Sequence, residues 1–196
     1  GKLPAECAKA ANALGHEVYS VLLLDESDDT IGQYSVDCKK ISVAKLQEIL
    51  DYLKEKGITK ATMIGKVTKE LLFAGSLTPD ARMMRLFMSL PDKSDDTIMK
   101  ALVAELASIG CTAFDQTALI RALMPKKGAI TKREPTAEEQ KDIEFGFKMA
   151  KELGRLDVGQ TVVVKNLAVM ALEAIEGTDA CIERGGNLAK EGAVVV

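Results

Sequence analysis

Three carboxylates crowd one short stretch near the carboxyl end of the chain, LEAIEGTDAC. Glu173 lies within an apolar run, Glu176 follows it, and Asp179 comes directly after Gly177 and Thr178. This order predicts a strand that ends just before Glu176, a tight glycine turn, and a helix capped by Thr178 or Asp179.

Such a junction offers two kinds of chemistry. The free N–H groups at the start of the helix can bind a phosphate, and carboxylates can bind a divalent cation that bridges to it. A capped helix with an acidic first turn is the simpler alternative, but it needs only Thr178 and Asp179 and leaves Glu173 without a structural role. We therefore predict catalytic roles for Glu173, Glu176 and Asp179, with Glu176 and Asp179 as metal ligands.

Two further polar residues stand where strands begin or end. Lys66 follows Gly65 in IGKV, at the carboxyl end of a predicted strand, where ligands bind in open α/β sheets. A lysine there can supply charge to a phosphate, although a solvated lysine is commoner and the Walker A frame is absent. Gln160 precedes the apolar run TVVV, where turn chemistry explains Asp157 and Gly159 but not a glutamine. We predict that Gln160 faces an interdomain cleft.

Composition excludes several classes of protein. The 196 residues are 47% hydrophobic with a net charge of −3, so no basic field is present to bind nucleic acid, and aromatic residues make up only 4%. No apolar run is as long as a membrane span, and no signal peptide is visible. The four cysteines form no C-x-x-C pair and there is one histidine, which excludes zinc knuckles and His-rich metal sites. These features predict a cytosolic protein.

The elements that must position the candidate residues alternate between strands and helices. The run VYSVLLL at 18–24 is typical of a buried parallel strand, and a helix capped by Ser42 leads to a second strand in ITKATMIGKV. This order predicts a β-α-β unit and hence a parallel sheet. Apolar spacing predicts further helices over 80–90 and over 94–110.

The texture of the chain changes at PKKGAITKREP, residues 125–135, which are charged and aperiodic. Thr136 and Glu139 then form a capping-box pattern at the start of a helix. Gly146 on the apolar face of this helix predicts a close approach of another backbone. Two strands, a helix and a valine-rich strand follow. We predict a Rossmann-like parallel-sheet domain over 1–124, a linker over 125–135, and the start of a smaller α/β domain over 136–196. The missing first strand and the end inside GAVVV lead us to expect truncation at both ends.

Several segments resemble the LpxI-type UDP-2,3-diacylglucosamine pyrophosphatases, lipid A pathway enzymes of Gram-negative bacteria. They include GKLP, IGKVTKELLF, TKREPTAEEQKDIEFGFKMAKELGRLDVGQTVVVKN and, above all, LEAIEGTDACIERGGNL. The similarity runs along the chain and is most specific from Thr131 to Leu188. It implies two α/β domains with lipid held between them. It also implies metal-dependent water attack on the α-phosphorus of UDP-2,3-diacylglucosamine, which gives UMP and 2,3-diacylglucosamine 1-phosphate (lipid X).

The resemblance also implies a site and its partners. The cofactor would be Mg²⁺ or another divalent cation, and an essential aspartate is expected beyond Val196. The enzyme would bind a lipid nucleotide and no nucleic acid, and would touch the inner membrane peripherally from the cytoplasm; the sequence leaves open whether it forms a homodimer. A non-catalytic nucleotide- or lipid-binding module is the alternative. The residues expected to bind substrate are Gly1, Lys66, Gln160, Gly177, Thr178 and Arg184.

Overall fold

A computed structural model of the chain describes residues 2–24, 27, 29–65, 67 and 77–196. The chain divides into two compact units, Gly1–Met124 and Pro125–Val196. Helices and strands occur in both units, so the predicted mixed α/β class is confirmed.

The first unit joins helices to short strands. Its described helices are α1 (Lys2–Ala13), α2 (Leu46–Glu55), α3 (Ala81–Ser89) and α4 (Asp95–Ser108). Its described strands are β1 (Tyr19–Leu22), β2 (Asp37–Lys40), β3 (Lys60–Ala61) and β4 (Thr112–Ala113). Among the described residues, one 3-10 helix lies between β1 and β2, at Asp29–Tyr34, and two follow β4, at Gln116–Ala118 and Arg121–Leu123.

Strand pairing in the first unit is parallel but differs from the predicted order. β1 pairs with β2, and β3 pairs with β4. Among the described residues these are two separate two-stranded sheets rather than one Rossmann-like sheet. The unpredicted partner is β2, because its sequence DCKK carries no apolar pattern from which a strand could be recognised.

The start of α2 was predicted wrongly. The helix begins at Leu46, and the Ser42 hydroxyl accepts only from the nearby Ala44 N–H. The acceptor at this helix start is instead Asp80, whose Oδ2 accepts from Gln47 N at 2.7 Å. The other oxygen of the same carboxylate caps α3. One aspartate therefore fixes the starts of two helices, which local sequence around Ser42 cannot reveal.

The core of the first unit forms where α2, α3 and α4 pack with the strands. Leu46, Leu50 and Leu53 are buried on one face of α2, as its apolar spacing predicts. Met83 and Leu86 join them from α3. The predicted α4 is also confirmed. Ser94 caps it by accepting a hydrogen bond from Thr97 N, and apolar residues of the helix pack in this core.

The second unit is built around a three-stranded antiparallel sheet. Its elements are α5 (Ala137–Arg155), β5 (Val162–Lys165), β6 (Ala168–Leu172), α6 (Thr178–Ala189) and β7 (Val194–Val195). β5 lies in the centre, with β6 on one side and β7 on the other. Val162 and Val164 pack in the cluster that contains α5, while Val163 packs in the cluster that contains α6. All three valines are fully buried, because each face of β5 has its own helix.

Glycines let both helices approach β5 closely. A Cβ at Gly146 of α5 would lie 3.0 Å from Val164 Cγ2 and 2.7 Å from Val196 Cγ2. A Cβ at Gly185 of α6 would lie 2.6 Å from Val163 Cβ. The predicted close backbone approach at Gly146 is therefore confirmed, and Gly185 serves the opposite face in the same way.

A buried carboxylate fixes the hairpin between β5 and β6. Asn166 and Leu167 both have positive φ, 51° and 60°, as a two-residue type I′ turn requires. Asp142 of α5 accepts from Asn166 N at 2.8 Å and from Leu167 N at 2.6 Å. The two strands predicted on either side of Lys165 and Asn166 are confirmed, and Asp142 ties their turn to the helix.

The predicted capping box at the start of α5 is confirmed. Glu139 N donates to Thr136 Oγ1, and Thr136 N donates to Glu139 Oε2 at 2.7 Å. Arg133 adds a bidentate pair to the same carboxylate, at 2.7 and 3.0 Å. The Arg133 guanidinium and the Thr136 N–H lower the pKa of Glu139 from 4.5 to about 2.

The contacts of the Glu139 carboxylate make the stability of the chain depend on pH in the acid range. The folded pKa of Glu139 lies below its unfolded value, so its contribution is complete above about pH 4.5 and is lost as the pH falls toward about 2. We expect Glu139→Gln to melt at a lower temperature than the wild type at pH 6, with the difference shrinking below pH 4. Glu138→Gln, which removes the same charge but leaves the Arg133 pair, is the control. A difference that stayed constant down to pH 2 would contradict this assignment.

Within the described ranges, no helix combines the length and the apolar character that crossing a bilayer requires.

Candidate active site

Glu173, directly after β6, joins three segments of the second unit. Its side chain and backbone are 7% exposed. Oε1 accepts from the Thr178 hydroxyl at 3.0 Å, and Oε2 accepts from Gln160 N at 3.3 Å. Its own N–H donates to Thr161 O at 2.9 Å. The premise that Glu173 lacks a structural role is wrong, because partners from two other segments give it one.

The same contacts keep this buried carboxylate ionised. Burial alone raises the pKa of the Glu173 carboxyl, but hydrogen bonds from the Thr161 and Thr178 hydroxyls and from the Gln160 N–H outweigh burial. The pKa therefore lies below its ordinary value of 4.5. A negative charge held by hydroxyl and N–H dipoles resists displacement, because moving it would leave those donors unpaired.

The loop before β5 packs against the backbone of Glu173. A Cβ at Gly159 would overlap the Glu173 carbonyl oxygen, so only glycine fits there. Gln160 is exposed, and its backbone N–H rather than its side chain contacts Glu173. Gln160 lies before β5, as the sequence predicts, but its side chain is exposed there. Its proposed contact with a ligand stays a prediction.

The start of α6 differs from the predicted cap. Gly177 is the N-cap residue, with φ 84° and ψ 170°, and no side chain caps the helix. Thr178 is the first helical residue and not the N-cap, and its hydroxyl donates to Glu173. Asp179 lies exposed in the first turn, where a negative charge is favoured by the helix dipole.

Glu176 lies in the loop between β6 and α6 and pairs with an arginine of α6. Arg184 Nη2 lies 2.6 Å from Glu176 Oε1 and also donates to Leu172 O at 2.8 Å. The other carboxylate oxygen accepts from Ala174 N at 3.1 Å. The hydrogen bond from Arg184 is the main reason that the pKa of Glu176 lies below its ordinary value.

An open surface cavity of about 370 Å³ lies along the outer face of α6. Arg184 supplies positive charge to it, Asn187 supplies an amide, and Leu188, 62% exposed, supplies apolar surface. Ala180 and Glu183 complete the lining. The lining therefore carries one cationic side chain, Arg184, and one anionic side chain, Glu183.

Comparison with known proteins identifies the family. Residues 1–123 match the LpxI N-terminal domain, and residues 126–196 match the LpxI C-terminal domain. The chain belongs to the LpxI family. A curated relative, the UDP-2,3-diacylglucosamine pyrophosphatase LpxI of Caulobacter vibrioides, is 29% identical over 191 residues. That alignment covers 96% of this chain and 67% of the relative. The family suggested by the sequence segments is therefore confirmed.

In this LpxI-family chain several predicted residues form two contacting groups, and the Gln160 N–H belongs to the group around Glu173. Thr178 contacts Glu173, and Arg184 contacts Glu176, while Asp179 has no side-chain hydrogen bond or ion pair with another described residue. Two predicted substrate-binding residues, Gly1 and Lys66, lie outside the described residues.

Two polar residues of the candidate site were missed. Thr161 is 7% exposed, and its hydroxyl lies 3.4 Å from that of Thr178. A buried threonine opening an apolar strand was the available signal. Asn187 lies one helical turn after Arg184, a spacing that places both on one face of α6.

The predicted metal ligands were Glu176 and Asp179. Both oxygens of Glu176 already accept hydrogen bonds, one of them from a guanidinium. Within the part of the chain that the structure describes, no group of three or more His, Cys, Asp or Glu side chains is arranged to hold a metal ion. Metal binding by Glu176 and Asp179 stays a prediction.

Proposed function

We propose that this chain hydrolyses the pyrophosphate of UDP-2,3-diacylglucosamine to UMP and 2,3-diacylglucosamine 1-phosphate. One observation carries the proposal: both halves of the chain match the two LpxI domains, and a relative aligned over 96% of the chain is a UDP-2,3-diacylglucosamine pyrophosphatase.

The residues of the second unit take distinct roles in this proposal. Arg184 and Asn187 bind a phosphate oxygen of the substrate from the outer face of α6. Glu173 acts as a positioning residue that holds the Gly177–Thr178 turn in place through the Thr178 hydroxyl. Asp179, exposed one residue later, is the carboxylate left to orient the attacking water.

The acyl chains of the substrate need an apolar surface. Met84 and Met88 lie one turn apart on α3 and are 50% and 83% exposed, while Met83 and Leu86 of the same helix are buried. We propose that these exposed methionines contact acyl chains, since flexible thioethers adapt to varied apolar partners. The same surface would permit contact with a membrane from one side.

The position of bond cleavage gives the sharpest test of the reaction. In water enriched with oxygen-18, we expect the label to appear in UMP, because the attack is proposed on the α-phosphorus. Mass spectrometry of both products measures it. Label in the sugar phosphate would contradict attack on the uridine side. Tight binding of the substrate without any product would favour the alternative of a non-catalytic binding module.

We also expect turnover to require a divalent cation such as Mg²⁺. Two adjacent phosphates repel an attacking oxygen, and a bound cation supplies Lewis-acid charge neutralisation. Excess chelator should abolish product formation, and added Mg²⁺ should restore it in the same sample. Undiminished turnover in chelator would remove the cation from the reaction and leave Arg184 as a source of neutralising charge.

A further inference from the structure

We propose that Glu176 competes with the phosphate of the ligand for Arg184, so that the Glu176–Arg184 ion pair weakens ligand binding. The inference rests on the proposed function only for the identity of the ligand, a uridine phosphate. Its physical basis is that Arg184 belongs to the surface cavity and to the Glu176 ion pair at once.

The geometry of the ion pair makes the exchange feasible. Carboxylate and phosphate oxygens bind a guanidinium through the same charge-assisted hydrogen bonds. The contacts of Arg184 with Glu176 and with Leu172 O both use Nη2, one nitrogen of a fork that carries five N–H donors. Arg184 can therefore keep its backbone contact while Glu176 gives way to another anion.

The loop that carries Glu176 is held at its ends and little in between. Glu173 is buried and hydrogen-bonded at one end, and Gly177 begins α6 at the other. Between them, Ile175 is 68% exposed, and the second contact of Glu176 is to Ala174 N within the same loop. Release of Arg184 therefore costs few packing contacts, because little of this loop is buried.

The cavity contains a second glutamate that serves as a matched control for the effect of the Glu176 charge on binding. Glu183 lines the same cavity, but no hydrogen bond or ion pair to Arg184 is seen for it among the described residues. Replacing either glutamate by glutamine removes one negative charge close to the bound phosphate. Only the replacement of Glu176 also frees the guanidinium, so a comparison of the two separates competition from general repulsion.

The experiment is calorimetric titration of the full chain with UMP and, separately, with inorganic phosphate. We expect Glu176→Gln to lower the Kd for UMP about fivefold. Glu183→Gln should change it by less than about twofold, because an exposed, unpaired charge is screened. Arg184→Gln should raise it at least about tenfold. A matching gain for inorganic phosphate would show that the phosphate group alone is recognised, and a gain confined to UMP would show that the nucleoside contributes; either supports competition at Arg184.

A double variant keeps the inference testable if one substitution perturbs the fold. Once Arg184 is glutamine, replacing Glu176 should no longer tighten binding. Equal tightening in the Glu176 and Glu183 variants, weaker binding in Glu176→Gln, or tightening that survives without Arg184 would each overturn the inference. Competition observed in a protein without pyrophosphatase activity would remove the proposed reaction and leave this inference standing. Turnover without any effect of Glu176→Gln on binding would support the proposed reaction and overturn this inference.

Discussion

In the Glu173→Ala variant we expect the stability of the second unit to fall by about 2–4 kcal/mol, because a buried ionised acceptor is removed from the Thr178 hydroxyl and the Gln160 N–H. Glu173→Gln keeps the size of the side chain and one acceptor oxygen, so the loss should be about half as large. The chain has no tryptophan, and its three tyrosines all precede residue 125. Native-state hydrogen exchange of the β5 amides is therefore the suitable measurement.

The same variants separate a positioning role from a catalytic one. If Glu173 only positions the start of α6, Glu173→Gln should keep kcat within about tenfold of the wild type when measured on folded protein. Glu176→Ala, which removes an exposed carboxylate from the same loop, is the matched control for stability and should leave exchange from β5 almost unchanged. Loss of turnover beyond about a hundredfold in a fully stable Glu173→Gln variant would place its charge in the reaction itself.

Two adjacent glycines of α6 should respond to alanine with opposite signs. The new Cβ at Gly185 would lie 2.6 Å from Val163 Cβ, and Val163 belongs to a strand covered on both faces. We expect Gly185→Ala to destabilise the chain by about 1–3 kcal/mol. At Gly186 nothing lies within 4 Å of the added Cβ, so alanine should stabilise the helix by up to about 1 kcal/mol.

Thermal melting of both variants under identical conditions measures this contrast. Val163→Ala combined with Gly185→Ala should recover at most a small part of the loss, because alanine removes the two clashing Cγ atoms but keeps the Cβ that lies 2.6 Å from the new Cβ. Stabilisation by both alanine variants would show that α6 can move away from β5, and would contradict the close packing assigned to Gly185.

Features that depend on neighbouring residues were predicted well. The capping box of Thr136 and Glu139, the helix start at Ser94 and the close approach at Gly146 each follow from a short local pattern, and each is present. The hairpin around Asn166 was recognised for the same reason, because two apolar runs flank a turn.

Features that depend on distant polar partners were missed. The start of α2 is set by Asp80, far along the chain, and the role of Glu173 is set by residues before β5 and at the start of α6. Hydrogen-bond partners from separate segments leave no periodic signal, so composition and spacing could locate Glu173 but could not say what it contacts. The pairing of β1 with the charged strand β2 was not predicted for a related reason, since backbone hydrogen bonds need no apolar side chains.

Because a helix covers each face of β5, its residues should tolerate substitution differently from those of a strand with one solvent-exposed face. In a strand with one solvent-exposed face, every second side chain reaches solvent. Point substitutions are therefore tolerated at every second position. Val162, Val163 and Val164 have no such face, so three consecutive codons should accept little beyond small apolar residues. The resulting profile would resemble that of a strand in a parallel sheet, although β5 is antiparallel to both neighbours. An uninterrupted run of positions that tolerate little substitution therefore indicates that both faces of a strand are covered. It does not indicate whether the neighbouring strands are parallel or antiparallel.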